Sequence, residues 1–199
     1  MLQLSDGLTL TGHRPDGSLI TTRHLPAPVP DAADLEPDLD ATPPTSEIIP
    51  PQVLSLRDTT YVSTGKHLLM VTGDEPVRDI EFPSPITGLA CTWPLIRPRI
   101  AVTHERGGFV VWGGLDRGHM QSFGSELPRP LVGFTREGAL VEVAAGEGTV
   151  YDTHDRKVTA RATFSTRNQP PIAVLPTAAS NEFAVLSRSG LVQVFRDSG

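Results

Sequence analysis

The sequence predicts an all-β protein assembled from repeated four-stranded units, and three observations carry that expectation. From residue 52 onward, short β-branched or apolar runs alternate with Gly, Asp, Arg and Ser punctuation, the pattern of strands joined by tight turns. Phe82, Phe123 and Phe164 stand 41 residues apart, each near the end of a strand-like run. With 18 Gly, 19 Pro, 38% apolar and 20% charged residues, the 199-residue chain has a composition that disfavours a coiled coil, a helical bundle and a fully disordered polymer.

Taken in order, residues 1–25 contain two runs, Leu8 to Thr11 and Leu19 to Thr22, the second leading into Leu25-Pro26-Ala27-Pro28. That ending matches Phe82-Pro83-Ser84-Pro85, so residues 7 to 25 read as the third and fourth strands of a unit without its start. Residues 26–51 are different in kind. They hold eight prolines and six acids (Asp31, Asp34, Glu36, Asp38, Asp40 and Glu47), with no Lys, Arg or aromatic residue. Such a segment cannot repay its ordering entropy and reads as an exposed acidic linker or loop. The spacing of Asp34, Glu36, Asp38 and Asp40 faintly suggests a calcium loop, but a Leu (Leu39) and a Thr (Thr45) stand where that loop needs Gly and Glu. Leu25 and Phe82 are 57 residues apart, so the linker is an insertion of roughly 16 residues on the 41-residue period.

Residues 52–199 carry the repeats. A first, weaker unit runs from Val53 to Phe82 through Tyr61-Val62-Ser63 and Leu68 to Val71. In the next three, a proline opens each first strand, at Pro85-Ile86, Pro130-Leu131 and Pro171-Ile172, where no ladder donor is lost. Second strands follow at Ile100 to Val102, Leu140 to Val143 and Phe183 to Leu186. Third strands follow a glycine, at Gly108 to Trp112, Gly148 to Tyr151 and Gly190 to Phe195. A 41-residue period of four strands is the requirement of one propeller blade, so the fold class is a β-propeller, or part of one, of about four blades. The last unit stops at Phe195-Arg196-Asp197 without a fourth strand, and Leu19 to Leu25 is expected to supply it.

The third strands resemble the WD-repeat β-propeller family, whose blades carry Gly-x-Val-x-Val-Trp-Asp at this point. Gly190 to Phe195 fits with Phe for Trp, Trp112 is followed by Gly113, and Tyr151-Asp152 keeps the pair with a shortened approach. The Gly-His pair of that family is missing between units, since Gly12-His13 and Gly118-His119 fall elsewhere. The resemblance, to a divergent bacterial branch, implies a scaffold for protein assemblies. By analogy alone it brings in an AAA-type ATPase or a von Willebrand A protein as partner.

The chemistry-bearing residues point the same way. Outside the linker, seventeen acids face seventeen bases, so the body lacks the basic footprint of a nucleic-acid groove. No Gly-x-Ser-x-Gly elbow occurs, and Gly146-Glu147-Gly148 reads as a turn and not a phosphate loop. His13, His24, His67, His104, His119 and His154 stand singly, without metal-ligand spacing. His104-Glu105 and Asp152 to Asp155 set acids beside imidazoles, but strand neighbours point to opposite faces. Cys91, the single cysteine, reads as a small core residue and excludes an intrachain disulfide. Trp112, Tyr151 and Phe195 read as packing between sheets, whereas Trp93, in the connection Cys91 to Pro94, is the candidate interface residue.

The expected function is therefore a non-catalytic scaffold that binds another protein chain or itself, with no cofactor, metal, nucleic acid or membrane. The start Met1 to Asp6 lacks the features of a signal peptide and no apolar run approaches a membrane span, so a cytoplasmic protein is expected. The alternative is a propeller enzyme or small-ligand binder with polar groups converging at a central channel. Glu105, Arg106, Glu147 and Arg188 begin such a pattern in the turns before the third strands.

Overall fold

A computed structural model describes residues 2–5, 9–13, 19–25, 51–56, 58–92, 99–104, 106–112, 119–128, 130–144, 146–167 and 169–197. Among them, regular structure is β apart from one 3-10 turn at His154–Arg156. The chain divides into two compact units, Met1–Pro83 and Ser84–Gly199.

The first unit holds two antiparallel sheets. β1 (Leu2–Ser5), β2 (Thr9–His13) and β3 (Leu19–His24) pair in that order. β4 (Gln52–Leu56), β5 (Thr59–Thr64), β6 (His67–Thr72) and β7 (Arg78–Glu81) form a four-stranded sheet, again in chain order. Leu25 is buried with Val62, Leu69 and Val71, so the residue that the sequence aligns with Phe82 docks its own sheet onto the middle strands of the next. β1 was not anticipated. Its four residues are a weak run alone, and their pairing with Thr9 to Gly12 makes the strand. The sequence reads residues 7 to 25 as the third and fourth strands of one unit, and the strands described within them pair with each other. β3 pairs with β2, from Thr9↔His24 to His13↔Leu19, and is the outer strand of its own sheet. The short loop makes this local hairpin the entropically cheaper pairing.

The second unit holds three antiparallel sheets. β8 (Gly88–Cys91), β9 (Arg99–Thr103), β10 (Arg106–Trp112) and β11 (His119–Pro128) make the third sheet of the chain. β12 (Leu131–Phe134), β13 (Leu140–Val143), β14 (Glu147–Asp152) and β15 (Thr159–Ser165) make the fourth. β16 (Pro171–Pro176), β17 (Glu182–Ser187) and β18 (Val192–Arg196) make the fifth. The expected strands are all present with changes of boundary, β10 starting at Arg106 and not at Gly108, and β18 at Val192 and not at Gly190. β8 starts at Gly88 and not at Ile86, and β11 runs past Phe123 to Pro128 across a register shift opposite Arg106 and Gly108. Gly107, Gly146 and Gly190 adopt φ of 84°, 93° and 82°, so the turn before each third strand uses the left-handed region open to glycine.

These sheets stack face to face, as propeller blades do. One core joins Ala101, Val110, Trp112 and Phe123 of the third sheet to Phe134, Leu140 and Tyr151 of the fourth. A second joins Val141, Val143 and Val150 on the opposite face of the fourth sheet to Val174, Phe183 and Val185 of the fifth. Strand alternation produces both, because Leu140 and Val141 point to opposite sides of β13. The innermost strands converge, with β12 lying beside β8 and β16. Small residues permit that approach, since a Cβ on Gly133 would lie 2.8 Å from Val174 Cβ. Towards the outer strands large rings fill the wider gap. Phe123 meets Tyr151 with centroids 5.5 Å apart, and Phe164 meets Phe195 at 4.6 Å. Phe123 and Phe164 of the 41-residue column are thus the fourth-strand residues that pack on the aromatic third strand of the next sheet.

Candidate interaction surface

Polar latches reinforce the two sheet contacts of the second unit. Arg99 Nη1 donates to Gly138 O (2.9 Å) and Thr153 Oγ1 (2.6 Å), and Trp112 Nε1 donates to Thr153 O (3.2 Å). One blade later, Arg136 Nη1 donates to Ala178 O (3.0 Å), and Arg161 pairs with the buried Asp197. The third and fourth sheets therefore each send donors to the sheet that follows. Burial pulls the Arg99 guanidinium below its usual range, an effect opposed by the charge of Asp152.

Trp93 lies outside the described residues, as do Glu105 and the segment 26–50. Trp112 and Tyr151 are buried in the core between the third and fourth sheets, and Phe195 packs against Phe164 and Phe183. Of the turn charges, Arg106 begins β10, while Glu147 and Arg188 are exposed. His67 Nδ1 stands 3.0 Å from Asp79 Oδ1, a cross-strand pair between β6 and β7 that linear spacing did not reveal. Among the described residues no three His, Cys, Asp or Glu side chains converge on a metal position. No helix among them is long and apolar enough to cross a membrane.

Cys91 is half-buried at the end of β8, more open than the core position expected of it, because β8 ends there and alternation turns its side chain away from the face of Ala90. Burial pushes its thiol above the ordinary range. Glu142 is fully buried between the third and fourth sheets. Its Oε2 accepts the Tyr151 hydroxyl at 2.6 Å and its Oε1 has no partner. Burial, then the bond to Glu142 and its charge, push the Tyr151 hydroxyl well above the usual tyrosine range.

Among the described residues, an apolar surface lies on the far side of the fifth sheet. Leu175, Ala184 and Val194 stand side by side in register, as do Ala173, Leu186 and Val192. In the fourth sheet the same rows are Gly133, Val141 and Val150, and Leu131, Val143 and Gly148. Val141, Val143 and Val150 are at most 3% exposed, because the fifth sheet covers them, whereas Leu175, Val192 and Val194 are 50%, 57% and 60% exposed. On its edge, β18 pairs with β17 and with no other strand among the described residues. Sequence reasoning saw the missing fourth strand but not the open face. Comparing the valine columns blade by blade is the signal that finds it.

No family model and no curated protein sequence matches the chain. Solved structures do. It is similar to the β-propeller domain of Myceliophteria thermophila Cps50 (Swd1) at 10% identity, covering 97% of this chain and 62% of that one with a TM-score of 0.64. It is similar to YCF48 bound to D1 peptide at 13% identity, covering 100% and 60% with a TM-score of 0.58. It is also similar to virginiamycin B lyase from Staphylococcus aureus at 13% identity, covering 100% and 84% with a TM-score of 0.51. The chain thus spans under two thirds of the length of the first two, and what it shares with all three is the fold: stacked antiparallel blades of a β-propeller.

Proposed function

We propose that this chain is a non-catalytic propeller scaffold, of the divergent WD-like kind found in bacterial cytoplasm, that binds another protein chain within an assembly. One observation carries the reading. The outer face of the fifth sheet repeats the apolar columns that the fourth sheet buries, yet leaves them half exposed beside a strand edge that is unpaired among the described residues. Contiguous apolar surface of this kind marks protein interaction sites, and a bare edge strand is a template for pairing. The similarity to YCF48 bound to D1 peptide adds an instance of this fold holding a peptide. The fold also serves an enzyme, the virginiamycin B lyase, so the fold alone does not choose between roles.

The test is sedimentation of the protein purified from its own cells, beside a Val192→Lys/Val194→Lys variant. The wild type is expected in a species heavier than the 21.4 kDa chain, and the variant at the mass of the chain alone. A wild type that sediments as a stable monomer overturns the scaffold reading.

A further inference from the structure

We propose that the contact between the third and fourth sheets holds a buried site for a small molecule that donates two hydrogen bonds, water or an ammonium ion, seated between Glu142 and Thr103. The site stands whether or not the chain is a scaffold. Leu140 and Glu142 point to the same side of β13, and Leu140 belongs to the core shared with the third sheet, so the Glu142 carboxylate faces that sheet. On β9, Thr103 points to the same side as Ala101 of that core. Both Glu142 and Thr103 are fully buried. The inner edge sets the two residues at one level. A Cβ on Gly88, the register partner of Thr103, would lie 3.9 Å from Cγ2 of Val132, the register partner of Glu142.

This layer is short of donors. Glu142 Oε2 accepts the Tyr151 hydroxyl at 2.6 Å, and Oε1 has no partner in the protein. Thr103 Oγ1 donates to Gly88 O at 3.3 Å and accepts from Thr87 Oγ1 at 3.0 Å. Its one proton is therefore committed, while a lone pair remains to accept a further bond. Two buried acceptors thus occupy facing strands, and a carboxylate oxygen taken out of water without a donor is costly. A small molecule that donates to both oxygens removes that cost. An apolar molecule satisfies neither oxygen, and an anion is repelled by the carboxylate.

The next sheet contact shows the same layer built dry. Val143 is the register partner of Gly148, as Thr103 is of Gly108. Val185 stands two residues beyond the partner of the third-strand aromatic, Phe183↔Phe195, as Glu142 does beyond Leu140↔Tyr151. Val143 and Val185 lie together in the apolar core between the fourth and fifth sheets. Between the third and fourth sheets Thr103 and Glu142 stand in place of this valine pair, so an apolar contact becomes a pair of acceptors.

The experiment is a crystal structure of the full chain at atomic resolution, beside those of Thr103→Val and Glu142→Val/Thr103→Val. In wild type one ordered atom is expected within hydrogen-bond reach of both Glu142 Oε1 and Thr103 Oγ1. It should lose occupancy in Thr103→Val and be absent from the double variant, where the two valines meet as Val143 and Val185 do. Melting curves in ammonium chloride and sodium chloride at equal ionic strength distinguish the ligands. A higher melting temperature in ammonium alone identifies ammonium, and equal curves identify water. A wild-type structure with no ordered atom at Oε1, with one out of reach of Thr103, or with Oε1 accepting directly from a protein hydroxyl such as that of Thr149 overturns the proposal, and this readout needs neither variant to fold. Full occupancy in Thr103→Val overturns it as well.

Discussion

Val102, Glu142 and Val185 each precede the residue that closes the turn in three successive second strands, and all three are buried. Only the middle one is polar, and its Oε1 is left without a partner. A buried polar pair of this kind is costly to break and seldom adds net stability. Tyr151→Phe, which leaves both carboxyl oxygens unpaired, should destabilise the protein by about 1–3 kcal/mol in chemical denaturation. The double change Glu142→Val/Tyr151→Phe should recover that loss or exceed wild-type stability, since valine fills the same column in both neighbours. The raised Tyr151 hydroxyl also sets a pH dependence. The folded state holds this proton more tightly than the unfolded chain, so its contribution is complete below the ordinary tyrosine value near 10 and is lost as pH rises beyond it. Thermal melts should therefore fall more steeply above that pH for wild type than for Tyr151→Phe. Cys91 offers a further check. Its raised thiol and partial burial predict labelling slower than that of the denatured chain near neutrality, measured with a chromogenic thiol reagent.

At the scale of the element, the repeat has a mechanical reason. A fourth-strand phenylalanine lies over a third-strand glycine of its own sheet and projects onto the next, so neither can change alone. A Cβ on Gly148 would lie 2.2 Å from Phe164 Cζ. The inner edge has the opposite requirement, small residues that let first strands converge. Gly133→Ala should cost about 1–3 kcal/mol by overpacking against Val174, read as a lowered denaturation midpoint. Ala173→Gly should cost far less, because Ala173 belongs to neither buried core of the second unit. The arginine latches repeat the theme in polar form, since Arg99 and Arg136 both reach backbone carbonyls near the next first-to-second-strand turn.

At the scale of the molecule, the chain is two units of stacked sheets, the first containing the acidic stretch between β3 and β4. That stretch lies outside the described residues, and its proline-rich, acidic composition predicts the first protease cuts between residues 29 and 50. Limited proteolysis with mass mapping checks this, and initial cleavage within β12 to β15 would contradict it. Leu175, Val192 and Val194 on the outer face of the fifth sheet are half exposed, so the two lysines introduced at Val192 and Val194 should raise solubility while leaving the melting temperature nearly unchanged. A marked fall in melting temperature would mean that those side chains are covered in the isolated chain.

Much of this architecture was legible in the amino-acid order. Alternation and glycine-led turns place nearly every strand from Gln52 to Arg196, and the 41-residue column assigns each to its blade, because these signals are local and repeat. The alignment of Leu25 with Phe82 was legible for the same reason. Pairing partners were not. Leu2 to Ser5 are too weak a run to read as a strand alone, and only the tertiary structure shows that they pair with Thr9 to Gly12. Nor does the linear order show that Leu175, Val192 and Val194 are open while Val141, Val143 and Val150 are closed. The side chains are similar and their strands equivalent, and the difference lies in whether another sheet stands in front of them.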